Sequence, residues 1–447
     1  MSRSRKSLAR FLRKRLPAGK ASLVVLVPFA TMILVSLAYA QLAEAPAGFD
    51  NVTNGNSAQA DFDIDRAEFD QVEGIADGLG PTYNAQSCRE CHQNPVSGGT
   101  SQITEFRAGH LDGAGRFVGA TVTLHDANGA PVVIAGRSLI NQRAICPGVD
   151  ASLNFTFPNT YAQERITTAE TIRTLRTSLN LLGDGFVEAI ANGTLQNINA
   201  SQCNTFPGDI CGLLVSVPVF EAPGQTRIGR FGWKDQQASL LSFSSDAYLN
   251  EMGITNQFNP TDVTSLCDTV ADPEDKALPP PFPAGFHDID AFARFMRSLK
   301  VPPRDATLVS NSDVIAGNNL FNQIGCARCH TGTITTAPPG TVINGGALKV
   351  SAALGNKNIH PFSDFALHDV GTGDNIDQGS GPDSAHRMRT APLWGSRMHN
   401  QHMHDGQSTT FTDAILRHAG AATNVINEFR ELSSTQQQQL VKFLTSL

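Results

Sequence analysis

The sequence predicts a mainly α fold in which two domains share one plan and the first domain carries β-containing insertions. One observation is a repeated order of landmarks: a helical stretch, a Cys-x-x-Cys-His motif, an Arg-Thr segment and a closing helix. Another is the similarity of the closing helices, RFMRSL at residues 294–299 and KFLTSL at residues 442–447. The distance from the motif to the end of the closing helix is 211 positions in the first half and 121 in the second. This surplus leaves room for insertions in the first half.

The N-terminus has the pattern of an export signal. Residues 1–20 contain eight basic side chains and no acidic ones, and the uncharged residues 21–40 end in Ala38-Tyr39-Ala40. A basic region, an apolar region and an A-x-A site predict a signal peptide cleaved after Ala40. The alternative is an uncleaved anchor, since about 20 apolar residues can span a bilayer. Either alternative places the rest of the chain outside the cytoplasm, in the periplasm.

The charge of the exported part limits its ligands. Without residues 1–40, Lys plus Arg falls from 34 to 26 while Asp plus Glu stays at 41, so the net charge is near −15. This charge argues against a nucleic-acid ligand and would suit a basic redox partner. The oligomeric state does not follow from it.

Local patterns place the elements of each half. Helical stretches at residues 67–74 and 312–325 precede the two motifs. Residues 121–124 and 131–134 flank Asn128-Gly129, which is typical of a β-hairpin. In the first closing helix Ile289, Phe292, Met296 and Leu299 share one face, and Val301-Pro302-Pro303 ends the helix.

The two motifs predict covalently bound haem. They read Cys88-Arg89-Glu90-Cys91-His92 and Cys326-Ala327-Arg328-Cys329-His330. This spacing is the attachment signature of c-type haem, in which both thiols bond the porphyrin and the adjacent His is the proximal iron ligand. A zinc site would need the two Cys pairs to converge, and neither zinc nor a redox pair requires the following His. The sequence therefore predicts two haem c groups, with His92 and His330 as iron ligands.

Four further cysteines predict disulfides in an oxidising compartment. Cys203 and Cys211 flank a Pro-Gly turn and are the best candidate pair, and Cys146 with Cys267 would follow by elimination. Four cysteines allow three pairings, so the pairing stays open.

Short motifs between these landmarks resemble the di-haem oxidoreductase family. They are GLGP at residues 78–81, GRFGWK at 229–234, MGIT at 252–255 and HDG at 404–406. That family is similar to the bacterial di-haem cytochrome c peroxidases and more distantly to the rubber oxygenases. The resemblance covers residues 62–447. It implies two cytochrome c-like haem domains, at residues 41–303 and 304–447, after an N-terminal segment of residues 1–40.

The resemblance also implies a second ligand for the His330 haem. In the similar peroxidases a His-Asp-Gly turn leads to a Met ligand fourteen residues beyond the His, and the same count from His404 reaches His418. We therefore expect ligation by His330 and His418, which gives a lower potential than His/Met ligation. The alternatives are a solvated His418, with Met398 or Met403 as ligand; His399 and His402 are expected in loops.

For the first haem the sequence offers no comparable His after His92, because His110 and His125 fall in the β-prone insertion. By resemblance, residues 246–252 should cover the open face, with Tyr248 as its polar side chain. Glu188 is the candidate general acid–base group, and Trp233 (or Trp394) the candidate electron relay. The alternatives are a packing role for the aromatic residues and a solvated Glu188.

These expectations favour a periplasmic di-haem oxidoreductase of peroxidase type. The His92 haem would react with peroxide, and the His330 haem would receive electrons from a small cytochrome c or cupredoxin. A pure electron carrier and an oxygenase acting on an apolar substrate are the alternatives. Asp369, Asp374 and Asp377 lie in a Gly-rich stretch that would suit a structural calcium.

Overall fold

Two pairs of crossed helices, each beside a Cys-x-x-Cys-His motif, organise the structure. It is a computed structural model that describes residues 42–447 apart from residues 127, 147, 151–154, 158–162 and 206–209. The predicted export signal lies outside the described residues. Leu42–Leu447 forms one compact unit, and the predicted boundary between residues 303 and 304 stays a prediction.

The helices are short and widely spaced along the chain. They are α1 Gln59–Asp70, α2 Cys88–Cys91, α3 Asp184–Glu188, α4 Asn192–Thr205, α5 Leu240–Met252, α6 Asp288–Ser298, α7 Ser312–Gln323, α8 Phe411–Leu416, α9 Thr423–Glu431 and α10 Ser434–Leu444. None of these helices is both long and apolar enough to span a bilayer.

The strands divide into an inserted set and a set of short pairs. Those of the first half are β1 Ala43–Glu44, β2 Thr82–Tyr83, β3 Thr104–Leu111, β4 Phe117–His125, β5 Pro131–Arg137, β6 Leu139–Ile140, β7 Arg143–Ala144, β8 Gly148–Asp150, β9 Phe155–Phe157, β10 Arg165–Ile166, β11 Ile172–Thr177, β12 Ser216–Pro218 and β13 Thr226–Ile228. Those of the second half are β14 Ile334–Thr335, β15 Val342–Ile343, β16 Leu348–Lys349, β17 Lys357–Ile359, β18 Leu367–His368 and β19 Met388–Arg389.

In the first helix pair, α1 packs across α6 through aromatic side chains. Phe62 lies 5.2 Å from Phe295, and Phe69 lies 4.8 Å from Phe295 and 6.2 Å from Phe292, measured between ring centroids. Phe69 also lies 6.4 Å from the ring of His92. The helix pair therefore supports the motif histidine through a shared aromatic cluster.

The second helix pair repeats this arrangement. Phe321 of α7 lies 5.3 Å from Phe443 of α10 and 6.1 Å from the ring of His330. Gly317 lets the helices approach closely, because a Cβ there would lie 2.0 Å from the backbone oxygen of Gln439. The repeated plan read from the sequence therefore has a counterpart in the packing of both halves.

The insertion in the first half is a six-stranded sheet with the order β10-β4-β3-β11, to which β5 and β6 are paired at the side. The predicted hairpin is confirmed: β4 and β5 are antiparallel, with Val122 opposite Ile134 and Leu124 opposite Val132. Ala108, Ala120 and Val122 form a small core inside the sheet.

The expectation of a mainly α fold is wrong. The chain is only 30% helical, with 18% in strands and several sheets. The prediction placed β structure in insertions of the first domain, yet the second half also contains β14 to β19, most of them two residues long. Such strands depend on backbone hydrogen bonds between distant segments and leave no alternating pattern in the sequence.

Both expected disulfides are present. Cys146 pairs with Cys267 and Cys203 with Cys211, with Cα–Cα distances of 5.6 and 4.5 Å. The first of these joins the end of the inserted sheet to the loop that follows α5. The insertion is thus fastened to the helical part at a second point.

Candidate functional sites

The second Cys-x-x-Cys-His centre borders an internal cavity. Gly325, with φ +100°, ends α7 and turns the chain into the motif. Cys326 and Cys329 are free thiols, whereas the four cysteines outside the motifs are in disulfides. The lining of the cavity includes Cys326, Cys329 and His330 and, from the region of α8, Phe411, Ala414, Ile415 and His418. These four residues, at positions 411, 414, 415 and 418, therefore lie on the side of the α8 region that borders the cavity.

His330 and His418 present their rings to this cavity in the same tautomer. Nδ1 of His330 bonds the carbonyl oxygen of Phe362 at 3.0 Å, and Nδ1 of His418 bonds that of Ala414 at 2.8 Å. Because a carbonyl oxygen only accepts, each Nδ1 carries the proton and each Nε2 keeps a free lone pair. Burial and then the charge of His418 lower the pKa of His330 to about 4. Both imidazoles are therefore neutral at pH 7, the form that binds a metal.

The lining of this cavity fits a haem group in a further respect. The Thr372 and Ser396 hydroxyl oxygens border it and are buried, and neither has a hydrogen-bond partner in the described part of the chain. Buried polar atoms normally have a partner, so an additional polar group is expected there. With two thiols and two neutral imidazoles, the residues present suit a haem c.

The other candidate ligands lie around the same cavity. His399, His402 and Met403 border it, whereas Met398 is 39% exposed. The ring of His402 stacks on Phe411 with a centroid distance of 4.4 Å. Burial lowers the pKa of His399 to about 4, with a further contribution from the charge of His402. These residues form part of the cavity wall.

His368 is a buried residue near this centre that the sequence reading missed. Its Nε2 lies 2.8 Å from Oδ2 of Asp364, and its Nδ1 lies 3.9 Å from Sγ of Cys329. Burial would lower the pKa of His368, but Asp364 raises it well above its ordinary value. The Asp and His are four residues apart, a spacing too common to be a signal by itself.

The first centre is built on α2. The Ser87 hydroxyl caps this helix by accepting a bond from Glu90 N at 3.3 Å. Nδ1 of His92 bonds the carbonyl oxygen of Gly99 at 3.2 Å, so its Nε2 is also free. Burial lowers the pKa of His92 to about 4, although the backbone groups of Gly99 and Leu179 raise it. His92 and His330 therefore have equivalent environments, and their role as proximal ligands stays a prediction.

Residues 177–180 reach both centres. The backbone of Leu179 bonds His92, and residues Thr177, Ser178, Leu179 and Asn180 border the cavity of the second centre. Trp233 also borders this cavity and donates from Nε1 to the Thr177 carbonyl oxygen at 2.8 Å. Trp233 is thus hydrogen-bonded to the segment that contacts both centres. Trp394 is buried, and its ring packs closely against Gly183. A Cβ added to Gly183 would lie 2.8 Å from the Trp394 ring.

Glu188 lies at the end of α3 in an enclosed ion pair. Its two oxygens accept bonds from Nε and Nη2 of Arg297 at 2.7 and 2.9 Å, and further bonds come from Leu240 N and Asn344 Nδ2, each at 2.9 Å. Burial would raise the pKa of Glu188, but Arg297 outweighs it and lowers the pKa to about 2. The acid–base role of Glu188 stays a prediction. This environment weighs against that role because the group does not take up a proton near neutral pH.

Tyr248 lies on α5 and is 2% exposed. Its ring meets Phe292 edge-on at 5.2 Å, and its hydroxyl donates to Oδ2 of Asp288 at 2.8 Å. Burial and the charge of Asp288 raise the pKa of Tyr248 well above its ordinary value. The hydroxyl is therefore neutral and already bonded, so its role at an open haem face stays a prediction.

The two histidines of the insertion lie in the sheet. Nδ1 of His110 in β3 bonds Oε2 of Glu170 at 2.8 Å. His125 ends β4 opposite Pro131 of β5.

Asp374 binds protein cations. Its carboxylate lies 2.6 Å from Nη2 of Arg176 and 3.0 Å from Nζ of Lys234, and all three side chains are buried. Lys234 also donates to the carbonyl oxygens of Ser384, Ala385 and Arg387. Among the described residues, three groups could hold a metal ion, and Asp369, Asp374 and Asp377 do not form one of them. The structure therefore gives no support to calcium at these aspartates.

Comparison with solved structures gives only weak likenesses. One, titled Kuenenia stuttgartiensis hydrazine synthase pressurised with 20 bar xenon, is 13% identical over 97% of this chain and 100% of that chain, with a TM-score of 0.35. Another, a MauG-like protein associated with microbial copper homeostasis, is 12% identical over 92% and 95% of the two chains, with a TM-score of 0.37. Neither likeness carries an argument at these scores.

The sequence comparisons differ in outcome. No curated protein sequence matches this chain. Residues 159–447 match the family described as "Di-haem oxidoreductase, putative peroxidase", which includes the second motif, Glu188, Trp233 and His418. The match covers more than half of the chain, and two haem groups per chain are characteristic of the family. The chain belongs to the di-haem oxidoreductase family.

Proposed function

We propose that the protein is an exported di-haem c-type oxidoreductase of peroxidase type. In this proposal peroxide is reduced at the His92 centre, and electrons enter at the His330 centre from a small cytochrome c or cupredoxin. Cys88, Cys91, Cys326 and Cys329 would carry the thioether bonds.

One observation carries the proposal: His330 and His418 face one cavity as neutral imidazoles with free Nε2 atoms. Two such ligands would fill both axial positions of an iron and leave none for a substrate. The His92 centre matches the His330 centre in the environment of its motif histidine, but it has no counterpart of His418 among the described residues. Its two following histidines lie in the inserted sheet, and one of them is bonded to Glu170. The asymmetry favours chemistry at the first centre and electron transfer at the second.

When bound, haem c supplies the redox-active iron for electron transfer and for peroxide reduction. The protein side chains orient and insulate it. The carbonyl oxygens of Gly99 and Phe362 keep the ring protons of His92 and His330 on Nδ1. Nε2 of each ring therefore stays unprotonated and would be the atom that binds iron. The aromatic clusters of Phe69 and Phe321 exclude water from the proximal sides.

Residues 177–180 and Trp233 support electron transfer between the centres. This segment contacts His92 through Leu179 and borders the cavity of His330, so one short stretch of chain spans the gap. Trp233 is fixed to it by the bond to Thr177. A relay role for Trp233 is consistent with this position.

Export is supported by the redox state of the cysteines. Two disulfides form outside the haem motifs, and disulfides persist in oxidising compartments such as the periplasm. A net charge near −15 for residues 41–447 would favour a basic donor protein.

The test is the number of open irons in the oxidised and reduced holoprotein. Wild-type protein should bind one cyanide (ferric) or one carbon monoxide (ferrous) per chain and should respond spectrally to peroxide. His418→Ala opens the second centre and should bind two per chain. A matched control, His402→Ala, changes a cavity-wall imidazole and should bind one.

Two outcomes would overturn the assignment. Wild-type protein that binds no external ligand has two closed irons, and the electron-carrier alternative would then replace the peroxidase. Wild-type protein that already binds two ligands would remove His418 as an axial ligand. An oxygenase would show an open iron without peroxide-dependent oxidation of a reduced donor protein.

A further inference from the structure

A group of carboxylates lies where the crossed helices of the first half meet. Glu68 is in the last turn of α1, Glu73 follows that helix, and Asp288 is the first residue of α6. One carboxylate oxygen from each lies within 4.8 Å of the others. Glu73 is 2% exposed, and the other two are half-buried. This is the spacing of oxygen atoms that share one ligand.

A fourth carboxylate gives independent support for a missing ligand. Asp275 is 3% exposed, and its Oδ1 accepts a bond from the backbone N of Asp288 at 3.0 Å. Its Oδ2 is buried and has no hydrogen-bond partner among the described residues. The Tyr248 hydroxyl, which donates to Oδ2 of Asp288 at 2.8 Å, is also acted on by the charges of Glu73 and Asp275. A buried, unbonded carboxylate oxygen is costly unless a cation or a proton accompanies it.

The carboxylates of this group have few cationic neighbours to balance their negative charge. Burial, followed by repulsion from neighbouring carboxylates, raises the pKa of Glu68 to about 7 and that of Asp275 to about 8. Burial likewise raises the pKa of Glu73 to about 7. His287 is the cationic group seen to act on Asp288, and Arg294, the nearest arginine of α6, is bonded to Asp65. Protein cations therefore leave most of this negative charge uncompensated.

We propose that Glu68, Glu73 and Asp288 bind a hard divalent cation, such as Ca²⁺ or Mn²⁺, at the junction of α1 and α6. The donors are all carboxylate oxygens, which suit Ca²⁺, Mg²⁺ and Mn²⁺ and not the softer metals that prefer sulfur or imidazole. Oδ1 of Asp275 accepts a bond from the backbone N of Asp288, and the Tyr248 hydroxyl donates to Oδ2 of Asp288. The cation would lock together the helices that carry the aromatic cluster of His92.

The experiment uses the full holoprotein, treated with a chelator and then titrated calorimetrically with CaCl₂ or MnCl₂. Wild-type protein should bind one ion per chain at this site. Glu68→Gln and Glu73→Gln should each weaken the affinity at least about tenfold. Asp63→Asn is the matched control: Asp63 is on the same helix, 47% exposed and paired with Arg66, so the affinity should not change.

The proposal is overturned if wild-type protein shows no saturable binding, or if both glutamine variants bind as tightly as the wild type. Electron paramagnetic resonance on wild-type protein does not depend on how the variants fold. Bound Mn²⁺ should relax faster when the iron at His92 is ferric than when it is ferrous and bound to carbon monoxide, which makes it diamagnetic, and equal relaxation would place the ion elsewhere. None of these readouts uses peroxide, so they stand even if peroxide is not the substrate.

Discussion

The two haem centres share a scaffold on the proximal side and differ on the distal side. Each has a crossed helix pair, a phenylalanine about 6 Å from the motif histidine, and a carbonyl oxygen that holds the Nδ1 proton. The second centre then receives His418 from the end of α8, whereas the first has Tyr248 nearby, with its hydroxyl bonded to Asp288. In the proposed function this repeated scaffold would carry two chemistries, because the segment that covers the open side is not part of the repeat.

The largest effect is expected when one of the two centres loses its covalent haem. Replacing Cys326 and Cys329 by alanine should lower the covalent haem content from two per chain to one, because both thioether bonds of the second centre are lost. Haem retained after acid-acetone extraction measures this. Replacing Cys88 and Cys91 by alanine should also leave one covalent haem per chain, but it should abolish the spectral response to peroxide. Two covalent haems in either variant would contradict the attachment sites.

Replacing Glu188 by glutamine tests whether the first centre depends on this residue for structure or for proton transfer. Glu188→Gln leaves Arg297 buried without a counter-charge and should lower the free energy of unfolding by about 3–5 kcal/mol. The folded-state pKa near 2 lies below the ordinary value, so the stabilisation is present above about pH 4.5 and is lost as the pH falls towards 2. Denaturant unfolding at several pH values measures this.

The control for this prediction is activity per folded molecule. If Glu188 is structural, the folded variant keeps most of its peroxide turnover. A loss of two or more orders of magnitude with unchanged stability would restore the acid–base role.

His418→Met tests the distal side of the second centre. A thioether in place of imidazole should raise the reduction potential of this centre and give the spectrum of His/Met ligation. Potentiometry followed in the visible region measures both, and His402→Met serves as the control on the cavity wall. An unchanged potential would direct attention to Met403, which borders the same cavity.

Trp233→Phe should have the smallest effect. Phenylalanine keeps the packing but loses the bond to the Thr177 carbonyl, which should cost about 1 kcal/mol of stability. If Trp233 relays electrons, stopped-flow measurement should show slower reoxidation of the His330 centre by peroxide. Trp394→Phe is the matched control, and equal rates in both variants and wild type would leave Trp233 a packing role.

Local signals in the sequence were sufficient for the motifs, the closing helices and the hairpin, and a Pro-Gly turn indicated the Cys203–Cys211 pair, whereas Cys146 and Cys267 were paired only by elimination. The short strands escaped because two-residue ladders depend on distant backbone partners. Arg297, the ion-pair partner of Glu188, is 109 positions away in the sequence. The local sequence around either residue contains no pattern that predicts the pair. The carboxylates at positions 68, 73, 275 and 288 are likewise gathered only by the crossing of α1 and α6.

The inserted sheet enters and leaves the helical part at a single point. Thr104, the first residue of β3, is paired with Thr177, the last residue of β11, and Ser101 N bonds the Ser178 hydroxyl at 3.1 Å beneath them. In evolutionary terms the sheet is an insertion with one pair of chain connections, tied to the helical part again by the Cys146–Cys267 disulfide. Relatives could lengthen, shorten or exchange its hairpins, and so vary the surface offered to partner proteins, while residues 177–180 kept their contacts with both centres.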